Sequence, residues 1–154
     1  MAYQTLQATL DARGILTLAL NRPEVRNAFN EVVIDELDVL FERLAGDPAV
    51  RIVVFKGNGP VFCAGGDLNW MKKAINDGYD ENLRDTRRLA RMFGRLNECP
   101  KPVIALVHGG AIGGGVGLVS VCDLVIATAT TQFSLSEVRL GLVPACIGPF
   151  VVAK

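Results

Sequence analysis

Residues 107–123 read VHGGAIGGGVGLVSVCD, with six glycines in the nine positions from Gly109 to Gly117. The run lies between PVIALV, an apolar β-branched segment of the kind buried in a parallel sheet, and LVIATA, a second such segment. Gly113-Gly114-Gly115 lead into Leu118 and Val119, so the glycine turn after the first strand opens a buried helix. Strand, glycine turn, helix and strand in succession predict an α/β fold.

The flanks extend this pattern. Thr5 to Leu20 holds two β-prone runs broken by Asp11-Ala12-Arg13-Gly14, which predicts a hairpin. Asn21-Arg22-Pro23 turns the chain, and from about Asn30 the apolar positions Val33, Leu37, Leu40, Phe41 and Leu44 recur at helical spacing until Asp47-Pro48. RIVVFKG reads as a further buried strand, followed by the turn residues Gly57-Asn58-Gly59-Pro60. A second helix is expected from near Leu68. A longer one is expected from Asn82 to Asn97, with Leu89, Met92, Phe93 and Leu96 on one face and Arg84, Arg87, Arg88, Arg91 and Arg95 on another. QFSLSEVRLGLVP closes with a short strand and a turn. The chain stops at FVVAK with no helix stop signal, so residues 1–154 are expected to form one core domain truncated at its C-terminus.

Composition excludes some functions. Half of the 154 residues are hydrophobic, which suits a globular domain with a real core and argues against disorder. Sixteen basic residues balance sixteen acidic ones, so no global charge points to nucleic acid or an anionic membrane. MAYQTLQATLDARG lacks the basic start and apolar run of a signal peptide, and no apolar stretch is long enough to cross a bilayer; a cytoplasmic protein is expected. Cys63, Cys99, Cys122 and Cys146 form no C-x-x-C pair, so they are read as reduced, mostly buried thiols rather than as metal ligands or a disulfide framework.

The glycine run does not fit a phosphate loop. Leu118 and Ser120 break the two possible G-x-G-x-x-G frames, no Gly-Lys-Ser/Thr follows, and no G-x-S-x-G nucleophile elbow occurs. Two readings remain. The first N–H groups of a helix lack intrahelical partners, and glycine there lets a ligand oxygen approach the backbone, which would make half of an oxyanion hole. Close packing of a buried helix against the sheet favours glycine equally. Residues 61–68, VFCAGGDL, are a second strand exit with paired glycines, so two such turns are available to grip one carbonyl oxygen.

VFCAGGDL, KPVIALVHGGAIGGGVGLVSVCDLVIA and FSLSEVRLGLVP closely resemble, in order, the three successive signatures of the enoyl-CoA hydratase/isomerase (crotonase) family, and NRPEVRNAFN is similar to that family's N-terminal turn. The resemblance implies a spiral of ββα units with a helical C-terminal region absent here, an acyl-CoA thioester substrate and no cofactor beyond its coenzyme A. It further implies self-association as a trimer or hexamer and a place in fatty acid, branched amino acid or isoprenoid catabolism; the charge balance, lack of apolar spans and cysteine spacing add the expectation of no nucleic acid, membrane or metal partner. Carried over by position, the oxyanion amides fall on Gly66 and Gly114, and the general acid or base on Glu137. Coenzyme A contacts fall on Arg26 and Ala28 of the N-terminal turn and on Ala64, Gly66, Asp67 and Leu68. Preorganised N–H donors stabilise the charge that develops on the thioester oxygen, one donor being worth about 3 kcal/mol of barrier.

Several positions carry two readings. Glu137 also fits a capping box with Ser134. Family hydratases with two glutamates keep the second where this chain has Gly117. GGGVGL and SEVRLGLVPACIGPFV look closer to hydratases of branched, carboxylated enoyl-CoAs such as 3-methylglutaconyl-CoA. The expected activity is therefore hydration of an enoyl-CoA of that class. A single-glutamate double-bond isomerase is the alternative, and a non-catalytic acyl-CoA or RNA-binding module is the alternative of another class. The arginine stripe reads as a solvated helix face or as a phosphate contact, His108 as a polar strand end, and Trp70 and Met71 as acyl-pocket lining or plain core.

Overall fold

The computed structural model describes residues 3–154. The chain winds as four successive turns of strand, strand and helix. β1 (Leu6–Leu10) and β2 (Ile15–Leu20) form the expected hairpin, and α1 (Glu31–Leu44) follows. β3 (Ile52–Gly57) leads through an extended segment to α2 (Leu68–Asn76) and α3 (Tyr79–Asn97). β4 (Val103–Val107), β5 (Gly110–Ile112) and α4 (Gly114–Ser120) make the third turn. The fourth is β6 (Leu124–Ala127), β7 (Gln132–Ser134), a 3-10 turn over Ser136–Leu140 and α5 (Gly148–Ala153).

The main sheet has the order β1-β2-β3-β4-β6, antiparallel at β1-β2 and parallel beyond, in line with the near-continuous apolar runs of β3 and β4. The segment that precedes the helices in each turn contributes to a smaller parallel array. β5 pairs with β7, and single bridges join Cys63 to Ala111 and Phe29 to Gly66. This is the spiral of ββα units that the resemblance implied.

Side chains of α1 and α3 fill the space against the main sheet. Val33, Leu37, Leu40, Phe41 and Leu44 are buried as the periodicity predicts, with Ile34 and Asp38 added. Met92, Phe93 and Leu96 of α3 are buried against them, and Phe55 and Phe62 meet edge to face with centroids 5.5 Å apart. Asn30 caps α1 by accepting from the Val33 N–H at 3.2 Å, and Asp67 caps α2 by accepting from Asn69 N–H at 2.9 Å.

Four expectations need correction. α3 starts at Tyr79 rather than Asn82, because Asp80 and Glu81 suit the positive end of a helix although the apolar repeat begins later. The glycine run contains a strand, β5, that low β-propensity concealed; its backbone pairs with β7. Residues 61–66 make isolated bridges rather than a regular strand. The arginine stripe is not a free face throughout: Arg88 pairs with Asp35 and Asp85, Arg91 and Arg95 pair with Asp38, and Arg95 also reaches Glu42, so these three arginines rivet α3 to α1. Arg84 pairs within its own helix, with Glu81 at 3.7 Å.

Candidate active site

Cys63 and Ala111 are bridged in parallel: Cys63 N–H donates to the Gly110 carbonyl at 3.1 Å, and Ile112 N–H to the Cys63 carbonyl at 3.0 Å. Three residues beyond each member of the bridge stand Gly66 and Gly114, so the pairing delivers both glycines to one place. An ideal Cβ on Gly65 would lie 3.5 Å from the Gly114 nitrogen and 2.7 Å from the Ile112 carbonyl oxygen, and Gly65 has φ +91, so only glycine fits that crossing.

Both amides are free to act. The Gly65 carbonyl accepts from Phe29 N–H at 2.9 Å, and in a planar trans peptide the N–H of the next residue points the opposite way. The Gly66 N–H is thereby aimed away from Phe29. Gly114 is the first residue of α4 and has no intrahelical acceptor. Neither amide has a hydrogen-bond acceptor among the described residues, and both glycines line a cavity of about 380 Å³.

Glu137 lines the same cavity. The Ser134 capping box does not form: the 3-10 turn begins after Leu135 with no side-chain cap, and the Ser134 carbonyl instead accepts from Gly113 N–H at 2.7 Å. That bond pins the Glu137 segment to the glycine turn, and an ideal Cβ on Gly113 would lie 3.2 Å from Glu137 Oε1. Glu137 Oε2 is buried without a hydrogen-bond partner among the described residues. A buried lone acceptor beside two unpaired donors is an arrangement for a ligand that carries both an acidic hydrogen and a polarisable oxygen.

Gly117 is packed behind apolar side chains of the cavity wall. A Cβ there would lie 2.3 Å from Ile147 Cγ2 and 3.0 Å from Phe93 Cε1, so an apolar wall stands where a second carboxylate was considered. Trp70, Met71 and Leu89 continue that lining, and no Lys or Arg lines the cavity among the described residues. Ile75, one turn further along α2, is 81% exposed, so α2 packs only its cavity edge.

The coenzyme A candidates are brought together by backbone bonds. The Arg26 carbonyl accepts from Ala64 N–H at 3.0 Å, and the Phe29 carbonyl from Asp67 N–H at 3.0 Å. Ala64, Gly66 and Leu68 line the cavity, whereas Ala28 is buried outside it and Arg26 is exposed on a left-handed residue at φ 55. Burial pushes the Asp67 carboxyl up, but the Asn69 N–H and the Arg22 guanidinium outweigh it and hold it below the usual value. Arg22, Phe29, Ser136 and Ile147 were not singled out for the site. Only the Asn21-Arg22-Pro23 turn marked Arg22, and without its partner Asp67, 45 residues away, it carried no signal. His108 ends β4 as expected, with Nε2 2.8 Å from the Gly59 carbonyl oxygen.

The profile of the family described as enoyl-CoA hydratase/isomerase matches residues 11–154. The enoyl-CoA hydratase ACTT6 of Alternaria alternata is 37% identical over 152 residues, covering 99% of this chain and 48% of that protein. The mitochondrial Delta(3,5)-Delta(2,4)-dienoyl-CoA isomerase of Mus musculus is 38% identical, covering 91% of this chain and 45% of its own length. Among solved structures, an enoyl-CoA hydratase from Shewanella pealeana superposes with a TM-score of 0.93 at 42% identity, covering 97% of this chain and 56% of that one. The chain spans about half the length of the curated relatives it matches. It belongs to the enoyl-CoA hydratase/isomerase family. No helix among the described residues is long and apolar enough to cross a membrane.

Proposed function

We propose that this member of the enoyl-CoA hydratase/isomerase family forms the catalytic core of an enoyl-CoA hydratase in which one carboxylate, Glu137, performs both proton transfers. The observation that carries the reading is the buried, unpartnered Glu137 Oε2 in the same cavity as the free Gly66 and Gly114 amides. Water attacks C3 of the α,β-unsaturated thioester while Glu137 takes one of its protons. The C2=C3 electrons move onto the thioester oxygen, which the two amides hold as an enolate. Glu137 then returns the proton to C2, so H and OH add across the double bond from the side on which Glu137 stands, and the carboxylate is regenerated. Ser136 lines the same rim and offers the water a second polar neighbour.

A second reading is double-bond isomerisation by the same glutamate. The apolar wall of Ile147 and Phe93 favours it, because that wall holds no second group to bind water. The lining suits a hydrocarbon acyl group. A carboxylated acyl group such as 3-methylglutaconyl needs a cation from elsewhere in the protein. The fragment of coenzyme A nearest the thioester would run past Ala64 and Leu68, with Arg26 and Ala28 in the turn behind.

The test is incubation of the full-length protein with crotonyl-CoA, 3-methylglutaconyl-CoA and a 3-enoyl-CoA while following the conjugated thioester absorbance. Loss of absorbance with either of the first two is the hydratase result; gain with the third alone makes the protein an isomerase. Inertness with all three removes the catalytic reading, and binding of the esters without turnover leaves a binding module.

A further inference from the structure

Arg22 does not line the acyl cavity, yet it joins the two strands that carry the first oxyanion turn. Its Nη1 donates to the Ala28 carbonyl at 2.5 Å and its Nη2 to Asp67 Oδ2 at 3.0 Å. Ala28 and Asp67 flank the bridged pair Phe29 and Gly66, one on each strand. The guanidinium thus spans the bridge beside its two hydrogen bonds, Phe29 N–H to the Gly65 carbonyl and Asp67 N–H to the Phe29 carbonyl. The first of those bonds fixes the plane of the Gly65–Gly66 peptide. Gly65 and Gly66 are the most permissive residues for backbone rotation, so the peptide plane needs an external tie.

The tie is itself held firmly. Arg22 N–H donates to Asn27 Oδ1 at 3.0 Å, and Asn27 N–H donates to the Arg22 carbonyl at 2.9 Å. Asn27 is buried, and its Nδ2 donates to the Asn58 and Val61 carbonyls at 2.7 and 2.9 Å. Asp67 is fixed at its other oxygen by the Asn69 N–H that begins α2. Both ends of the Arg22–Asp67 pair are largely shielded, at 18% and 11% side-chain exposure, so solvent screens it weakly.

We infer that Arg22 is a positioning residue: by tying Ala28 to Asp67 across the Phe29–Gly66 pair, it aims the Gly66 N–H into the cavity. The inference rests on the proposed oxyanion role of Gly66. Lysine cannot replace the fork, because a single ammonium does not present two parallel donors to two acceptors.

The experiment compares full-length wild type with Arg22→Met and Arg22→Lys. It reads the backbone amide resonances of Gly66 and Gly114, the carbonyl stretch of bound butyryl-CoA, and kcat and KM with the substrate turned over by wild type. The expected result for Arg22→Met is a displaced Gly66 amide with Gly114 unmoved, loss of most of the carbonyl shift, and a fall in kcat of about tenfold or more, one whole donor being worth 10²–10³. KM stays within about threefold, and Arg22→Lys recovers part of each change. If Arg22→Met does not fold, Asp67→Asn, which keeps the shape of the cap and weakens the pair, carries the same measurements. A folded variant with an unmoved Gly66 amide and an unchanged carbonyl shift overturns the inference, as does equal displacement of Gly114. Wild type that neither shifts the carbonyl nor turns over any thioester defeats the proposed function instead, and the Gly66 amide still decides the role of Arg22.

Discussion

Ile147 Cγ2 occupies the space that a side chain on Gly117 would need, 2.3 Å from an ideal Cβ at that position. The two residues lie on α4 and just before α5, so one glycine on a buried helix and one branched side chain on a later segment form a matched pair. Gly117→Ala is expected to destabilise the fold by about 1–3 kcal/mol through overpacking, even though alanine is the better helix former. In a double-mutant cycle with Ile147→Ala the two costs are expected to be less than additive, because the second change makes room for the first. Chemical denaturation of the four proteins measures this.

Glu137→Gln keeps the shape of the side chain and removes its capacity to take a proton. Turnover is expected to fall by about 10²–10⁴-fold, the range for a positioned acid–base group, while affinity for a coenzyme A ester stays near that of wild type. Steady-state kinetics and calorimetric titration with butyryl-CoA separate the two. Undiminished turnover would sink the role assigned to Glu137.

The α1–α3 ion ladder should divide by burial. Asp38 is 5% exposed and meets Arg91 and Arg95, its Oδ1 lying 3.2 Å from Arg95 Nη1 without hydrogen-bond alignment. Asp38→Ala is expected to cost about 1.5–3 kcal/mol, the range for a hydrogen bond to a charged group. Asp35, half exposed, pairs with Arg88, and Asp35→Ala is expected to cost less than about 1 kcal/mol and to lose its effect in high salt. Urea denaturation at low and high ionic strength checks both.

Asp67 sets a pH dependence with a definite sign. Its folded carboxyl titrates below the ordinary value of 3.8, so its contribution to stability is complete above that value and is lost as pH falls through it toward the lower folded one. Between wild type and Asp67→Asn, the difference in stability is expected to be constant near neutrality and to shrink only as the solution becomes more acidic than pH 3.8. A difference that changes between pH 5 and 8 would contradict this.

The thiols should sort by their surroundings. Burial pushes Cys63 and Cys122 up to about 12, and both are enclosed, so neither is expected to react with iodoacetamide in the folded protein. Cys99 and Cys146 are only partly buried, with burial raising each more modestly, and Cys146 lines the cavity. Butyryl-CoA is expected to slow alkylation of Cys146 and leave Cys99 unaffected, as peptide mapping by mass spectrometry would show.

The β1–β2 hairpin, the apolar face of α1, the start of α2 at Leu68 and the opening of α4 within the glycine triplet were all legible in the chain, because alternation, helical spacing and turn chemistry act over a few residues. Strand β5 was not legible, since a glycine-rich strand carries no propensity and exists through its partner β7. The Ser134-x-x-Glu137 spacing offered a capping box that the backbone does not make, because the Ser134 carbonyl ends a strand and receives Gly113.

By itself the sequence determined which turns could expose a backbone amide and the order in which strands and helices alternate, while Glu137 was marked beside them only through the family resemblance. The tertiary structure decided what those groups meet. The Cys63–Ala111 bridge places Gly66 beside Gly114, Ile147 and Phe93 close the space over Gly117, and arginines 53 residues from their acidic partners become a rivet rather than a free face. The physical reason is one of range: propensity and periodicity are written in neighbouring residues, whereas hydrogen-bond register and packing volume are properties of segments that only the folded chain brings into contact.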